Sequence, residues 1–143
     1  MATLLTRDNF RKLVLERNNG ICVIPECLKD AVDAHHILNR NLFHDEDEFG
    51  GYFYENGSGL CSIHHLDAEY TLISTSDLYA YCGIQSPRIP NHFDPKLEYD
   101  TWGNEITGPY SRARGEMFKD EGCQKALSKA GVLWYFGWGF LSK

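Results

Sequence analysis

Two short pairs of metal-ligand residues, Cys22-Val-Ile-Pro-Glu-Cys27 and Cys61-Ser-Ile-His64, constrain this chain more than any other feature. Two thiolates with four residues between them in a Pro-containing turn can converge on one tetrahedral zinc, but only if a second pair closes the site. Cys61 and His64, in Cys-x-x-His spacing, supply that pair. Any fold using all four must bring segments more than thirty residues apart within a few ångströms of one ion. The competing reading is a set of unrelated buried thiols. Cys82 and Cys123 have no ligand-type neighbours and read as core or surface thiols.

Between and beside these pairs lie Asp33-Ala-His-His36 and Asn56-Gly-Ser-Gly-Leu-Cys-Ser-Ile-His-His65. Most of the chain's acid-base and metal-binding side chains therefore fall in about a quarter of its length. Val32 to Leu38 predicts a short strand, Gly51-Tyr-Phe-Tyr54 a second β-rich segment, and Leu60 to about Leu72 a helix with Leu66 and Tyr70 on one face. Asp33, two residues before His35, shares its strand face and is expected to orient it.

These residues resemble the HNH nuclease family, whose ββα-metal motif carries a general-base His on the first strand and a metal-binding residue on the helix. The flanking Cys pairs are similar to its zinc-stapled branch. The resemblance spans about residues 11–72, and the sequence after Leu72 is similar to the C-terminal part of small phage and bacterial HNH proteins. It implies an α+β fold, a small ββα-metal core with a zinc knuckle, an N-terminal helix and a helical or irregular C-terminal extension over about 73–143. It also implies a general base at His36, with Asn56 supporting the catalytic loop, and ligands to a catalytic divalent ion (Mg²⁺, Mn²⁺ or another) at His35, His65 and Glu69. Cys22, Cys27, Cys61 and His64 match the structural zinc pairs, with His64 standing where the usual pattern has Cys. The implied activity is hydrolysis or nicking of DNA. A zinc-stabilised nucleic-acid-binding or adaptor module that does not cut is the competing reading. A Cys/His nucleophilic hydrolase is disfavoured, because a zinc-bound Cys61 is a poor free nucleophile.

At 143 residues the chain fits a single domain, 1–143, and 43% hydrophobic with 24% charged residues is ordinary globular composition. The absence of a signal-like start or a long apolar run leads to the expectation of a cytoplasmic protein without membrane contact. A net charge of −6 is awkward for a DNA partner, but Asp45-Glu-Asp-Glu48, read as a solvated loop, carries much of the excess.

Elsewhere, Thr6 is expected to cap a helix through about Arg17, with Phe10, Leu13 and Val14 as its buried stripe and Arg7, Arg11, Lys12 and Arg17 on other faces, read as solvated with phosphate contact as the competing reading. Asn18-Asn-Gly20 should end it. Ser74 to Asp77 starts a short helix closed by Gly83, and Ser86 to Asn91 reads as an extended loop with His92 and Asp94 on its surface. A hairpin is expected to turn at Gly103-Asn104, Arg112 and Arg114 to contact nucleic acid, and a helix to cover about 115–130, weakened by Gly122. The aromatic tail from Val132 to Leu141 should pack on the domain, or else form a homodimer interface.

Overall fold

The computed structural model describes residues 3–137 and shows an α+β chain. Helix α1 (Arg7–Glu16) starts where Thr6 accepts a hydrogen bond from the Asn9 amide at 3.1 Å, and it buries Phe10 and Val14. Leu13, expected in that stripe, is 41% exposed. Asn19 and Gly20 take left-handed backbone angles and turn the chain into the Cys22–Cys27 loop.

Strand β1 (Asp33–His36) pairs antiparallel with β2 (Gly57–Leu60), His35 opposite Ser58 and His36 opposite Gly57. The second strand is therefore not Gly51 to Tyr54, which runs between two 3₁₀ turns (Phe49–Gly51 and Tyr54–Asn56) and pairs only through an isolated bridge of Phe53 to Leu4. Packing explains why. A Cβ at Gly57 would stand 2.4 Å from Val14 Cγ2 and 2.9 Å from the Phe10 ring, so only a residue without a side chain lets α1 lie across this sheet.

Helix α2 (Ser62–Glu69) follows, and its N-cap is Cys61, whose sulfur accepts from the His64 amide at 3.5 Å. It is shorter than expected at its C-terminal end, where Thr71 turns left-handed and Leu66 stays half exposed. Helix α3 (Thr75–Cys82) is capped by Ser74 and ended by left-handed Gly83.

The C-terminal extension is tied to the first half rather than appended to it. The Asn39 amide donates to Thr101 O (2.8 Å), and Trp102 Nε1 donates to Glu69 O at the end of α2 (2.8 Å). The chain turns at Asp100 to Asn104, as expected, with Tyr99 bridged to Glu105; the regular hairpin lies just beyond, between β3 (Glu105–Gly108) and β4 (Ser111–Ala113). Helix α4 (Glu121–Ala130) begins only after Asp120 caps it, because the segment before it is drawn inward. There the Gly115 amide donates to Asn104 Oδ1 at 2.7 Å, in a contact too close for any Cβ.

Three apolar clusters result: Val23, Ile37, Leu60 and Leu78 around the Cys loop; Leu38, Leu42, Phe43, Phe53 and Met117 beneath β1; and Phe118, Cys123, Leu127 and Val132 under α4. Met117 carries the extension into the central cluster. Among the described residues no helix is long and apolar enough to cross a membrane. Residues 138–141 of the aromatic tail, and with them part of the expected dimer surface, lie outside the described residues.

Candidate metal and nuclease site

Cys22, Cys27, Cys61 and His64 come together, with one ligand atom from each, all within 4.8 Å of one another. His64 Nδ1 lies 3.3 Å from Cys61 Sγ and 3.5 Å from Cys22 Sγ. Zinc–sulfur and zinc–nitrogen bonds of about 2.3 and 2.05 Å at a tetrahedral angle place S and N about 3.5 Å apart, so these separations match the edges of a zinc tetrahedron. The Cys22 turn is shaped by left-handed Glu26 and by the Cys27 amide donating to Ile24 O, while Cys61 and His64 occupy the first turn of α2. Burial pushes the Cys22 thiol up to about 11. Burial also works to raise Cys61, but the His64 amide, the Cys22 thiol and the Ile63 amide outweigh it and draw its pKa below the ordinary value. Without an ion the buried Cys22 is held as a thiol, so zinc binding here would displace a proton.

A separate cleft of about 380 Å³ opens beside β1, walled by α1 on one side and α2 on the other. Adjacent strand residues point to opposite faces, and they do so here. His36 stacks on Phe10 of α1 (ring centroids 4.7 Å apart, 25°) with the Tyr52 ring edge-on at 5.3 Å. His35 faces α2, its ring 5.2 Å from that of His65. Both nevertheless line the one cleft, because β1 has only four residues and β2 as its single sheet partner.

Both histidines keep a buried Nε2 without a hydrogen-bond partner. Buried polar atoms are nearly always paired, and among the described residues only Ser58 Oγ and Tyr79 Oη share this state, so the two orphan imidazole nitrogens call for a use beyond packing. Burial, then the charges of His65 and His36, lower the His35 pKa to about 3. Burial and the Arg40 charge lower His36 to about 4, against a hydrogen bond to the Gly50 backbone that works the other way. Both imidazoles are neutral at pH 7, the form that accepts a proton or binds a metal.

His65 is the next member. Its Nδ1 lies 2.9 Å from Asp33 Oδ2 and its Nε2 3.4 Å from Glu69 Oε1. Asp33 thus orients His65, not His35: the helix delivers its imidazole to a carboxylate that strand periodicity assigns elsewhere. A carboxylate on Nδ1 holds that nitrogen protonated and leaves Nε2 as the ligand atom. His35, His65 and Glu69 all line the cleft, although ligand atoms of the three do not all lie within 4.8 Å of one another. His35, His65 and Glu69 could hold a divalent ion only with their side chains drawn closer together than they stand.

Asn56 is fully buried and stands outside the cleft lining. Its Oδ1 accepts from the Leu38 amide (3.0 Å), and its Nδ2 donates to Leu38 O (3.1 Å) and Gly51 O (3.2 Å). It clamps the loop to the backbone just beyond His36 and so acts as a positioning residue.

Arg112, expected to contact nucleic acid, is instead committed to the interior. Its Nη1 lies 2.9 Å from Asp100 Oδ2, and the two side chains are 10% and 3% exposed. Arg114 is exposed, with its guanidinium 4.9 Å above the Phe118 ring. The cations that do line the cleft are Arg7, Arg11 and Arg40. Sequence reading put Arg7 and Arg11 on a solvated helix surface with phosphate contact as the alternative; both are exposed, and their i, i+4 spacing sets them together along the cleft beside Phe10. Trp102, which forms part of the wall above α2, had no signal at all.

The expected solvated acidic loop is also corrected at one position. Glu48 is fully buried, and its carboxylate accepts from the amides of His44 (3.0 Å), Asp45 (3.2 Å) and Asn91 (2.7 Å).

Compared with protein-family models, with curated proteins and with solved structures, the chain finds no match.

Proposed function

We propose that the chain is a metal-dependent endonuclease of the HNH type that hydrolyses or nicks DNA. The observation that carries this reading is the pair of neutral, partnerless Nε2 atoms of His35 and His36 in one Arg-lined cleft, next to an Asp-oriented His65. A scaffold that only bound zinc through its cysteines would have no use for them.

In this reading His36 is the general base. Its Nε2 takes a proton from water as the water oxygen bonds to phosphorus; the bond from phosphorus to the 3′ oxygen breaks, and that oxygen leaves and collects a proton. Phe10 and Tyr52 fix the imidazole plane, so the lone pair is aimed before substrate arrives. Arg40, whose charge depresses His36, would be offset by a bound phosphate, and His36 would become a stronger base when substrate is present. Arg7 and Arg11 supply positive charge for the backbone along the same wall. His35, His65 and Glu69 would hold a divalent ion, and a set with two imidazoles suits a first-row transition ion such as Mn²⁺ better than Mg²⁺. When bound, that ion supplies Lewis-acid stabilisation of the phosphate and of the departing oxygen. Zinc at Cys22, Cys27, Cys61 and His64 would fasten the start of α2, and with it His65, to the loop after α1.

The test is conversion of supercoiled plasmid to open circle with Mg²⁺ or Mn²⁺. Wild type should nick, and His36→Ala should lose at least ~100-fold in rate, the usual contribution of a positioned base. Binding of DNA with no nicking by either protein, over a range of ions and salt, would instead establish a non-cleaving nucleic-acid-binding module.

A further inference from the structure

His44, His92 and Glu116 come from three segments that are far apart in the chain, and they offer ligand atoms all within 4.8 Å of one another. Both imidazoles direct Nε2 at the same carboxylate: His92 Nε2 lies 2.6 Å from Glu116 Oε1, and His44 Nε2 contacts Oε2. The two rings lie 4.9 Å apart with planes inclined by 30°. None of these residues lines the cleft beside β1.

We propose that this trio is a second metal site, which takes a first-row divalent transition ion of the zinc class and keeps the remaining coordination positions for solvent. Two imidazoles and one carboxylate form a donor set matched to such ions, whereas Mg²⁺ and Ca²⁺ prefer sets made of oxygen. Ligand atoms sharing a zinc at about 2.0–2.1 Å sit about 3.3 Å apart when tetrahedral. The present contacts are closer than that, so Glu116 must swing outward by about an ångström. Its side chain is 36% exposed and is able to do so.

What stays fixed is the backbone under each ligand. Glu48, buried, accepts from the amides of both His44 and Asn91, so one carboxylate holds the His44 loop against the residue preceding His92. The Phe93 ring packs edge-on against His92 at 4.9 Å, and Met117, next to Glu116, is buried in the central cluster. The three ligands are thus preorganised by interior contacts, while their tips, 52% and 44% exposed for the two histidines, remain open for an ion to enter. An ion there would strap two loops of the extension to the segment that follows Arg40.

The experiment is zinc titration of protein already carrying its cysteine-bound ion, followed with a chromophoric competitor, together with thermal unfolding with and without added Zn²⁺. Wild type should take up an additional, dialysable ion and unfold at higher temperature with it. His92→Ala and Glu116→Gln should each weaken that uptake more than about tenfold and abolish the thermal shift, while retaining the tightly held ion. His65→Ala should leave the additional ion in place, which separates it from any ion in the cleft. The proposal is overturned if the His92 and Glu116 variants bind as wild type does, or if the additional ion disappears only in His65→Ala. It is equally overturned if wild type binds nothing beyond the cysteine-held ion, in which case the trio is a pair of imidazole–carboxylate hydrogen bonds.

Discussion

Replacing Arg112 with Met should destabilise the protein by about 3–5 kcal/mol, the range for removing one partner of a buried ion pair. The Asp100 carboxylate it would abandon accepts from the Trp102 amide (2.9 Å), the Asn104 amide (3.0 Å), Asn104 Nδ2 (3.1 Å) and Arg112 Nη1 (2.9 Å). Without Arg112, Oδ2 keeps only the neutral amide of Asn104, at a position 3% exposed. Burial already raises the Asp100 pKa, with Arg112 the chief opposing influence, so the variant's carboxyl must rise further. A carboxyl whose folded pKa exceeds its unfolded value penalises the fold at pH above both values, and acidification relieves the penalty. The loss should therefore be largest near pH 7 and smaller near pH 5. Urea unfolding followed by circular dichroism gives the change as a shift in midpoint at constant slope. Adding Asp100→Asn to the Met variant should restore about 1–3 kcal/mol, a coupling measurable by a double-mutant cycle. Arg114→Ala, on the exposed side of the same strand end, should cost less than about 1 kcal/mol. The reasoning fails if Arg112→Met costs less than about 0.5 kcal/mol, or if Asp100→Asn recovers nothing. A drop in DNA affinity without loss of stability would return Arg112 to the surface role that its sequence context suggests.

Gly57→Ala should cost about 1–3 kcal/mol by overpacking and, by displacing the Phe10 ring from His36, lower nicking more than stability alone explains; unchanged unfolding and activity would contradict this. Stripping metal with a strong chelator should loosen the Cys22–Cys27 turn and the start of α2, exposing Cys22 and Cys27 to alkylation until zinc is restored; metal-free protein with native spectra and protected thiols would remove the structural zinc. His35 and His36 stay unprotonated in the fold down to about 3 and about 4, whereas the unfolded chain takes up protons below 6.5. Stability should be insensitive to these groups above pH 7 and fall as pH drops from 6.5 toward 4, by up to ~1.4 kcal/mol per unit for each histidine. His36→Gln should remove one histidine's share of that slope, and an unaltered slope would mean that His36 is not buried neutral.

What the sequence made legible was local. Thr6 and Ser74 cap the helices they precede, Asn19 and Gly83 turn left-handed after them, and the Cys-x4-Cys and Cys-x-x-His spacings meet at one point. What it hid depends on segments that meet only in the fold. Gly-Ser-Gly-Leu has poor strand propensity and Gly-Tyr-Phe-Tyr a good one, yet the glycines become the strand because α1 needs a bare surface to lie on. Glu48 and Arg112 look like surface charges until their partners, Asn91 and Asp100, are brought to them. The Asp33–His65 contact follows from where α2 docks, which no periodicity within β1 encodes. His44, His92 and Glu116 are three isolated residues until the extension folds back.

Trp102 is half-buried in the cleft wall, its indole N–H fixed to the last residue of the helix that carries His65. An indole so placed is also an optical probe supplied by the chain itself. Its emission should respond when an ion or a nucleotide enters the cleft, so occupancy can be followed without label on an otherwise unmodified protein. Trp102→Phe supplies the blank, and it leaves as the background Trp134, 57% exposed and outside the cleft lining, and Trp138, which lies outside the described residues.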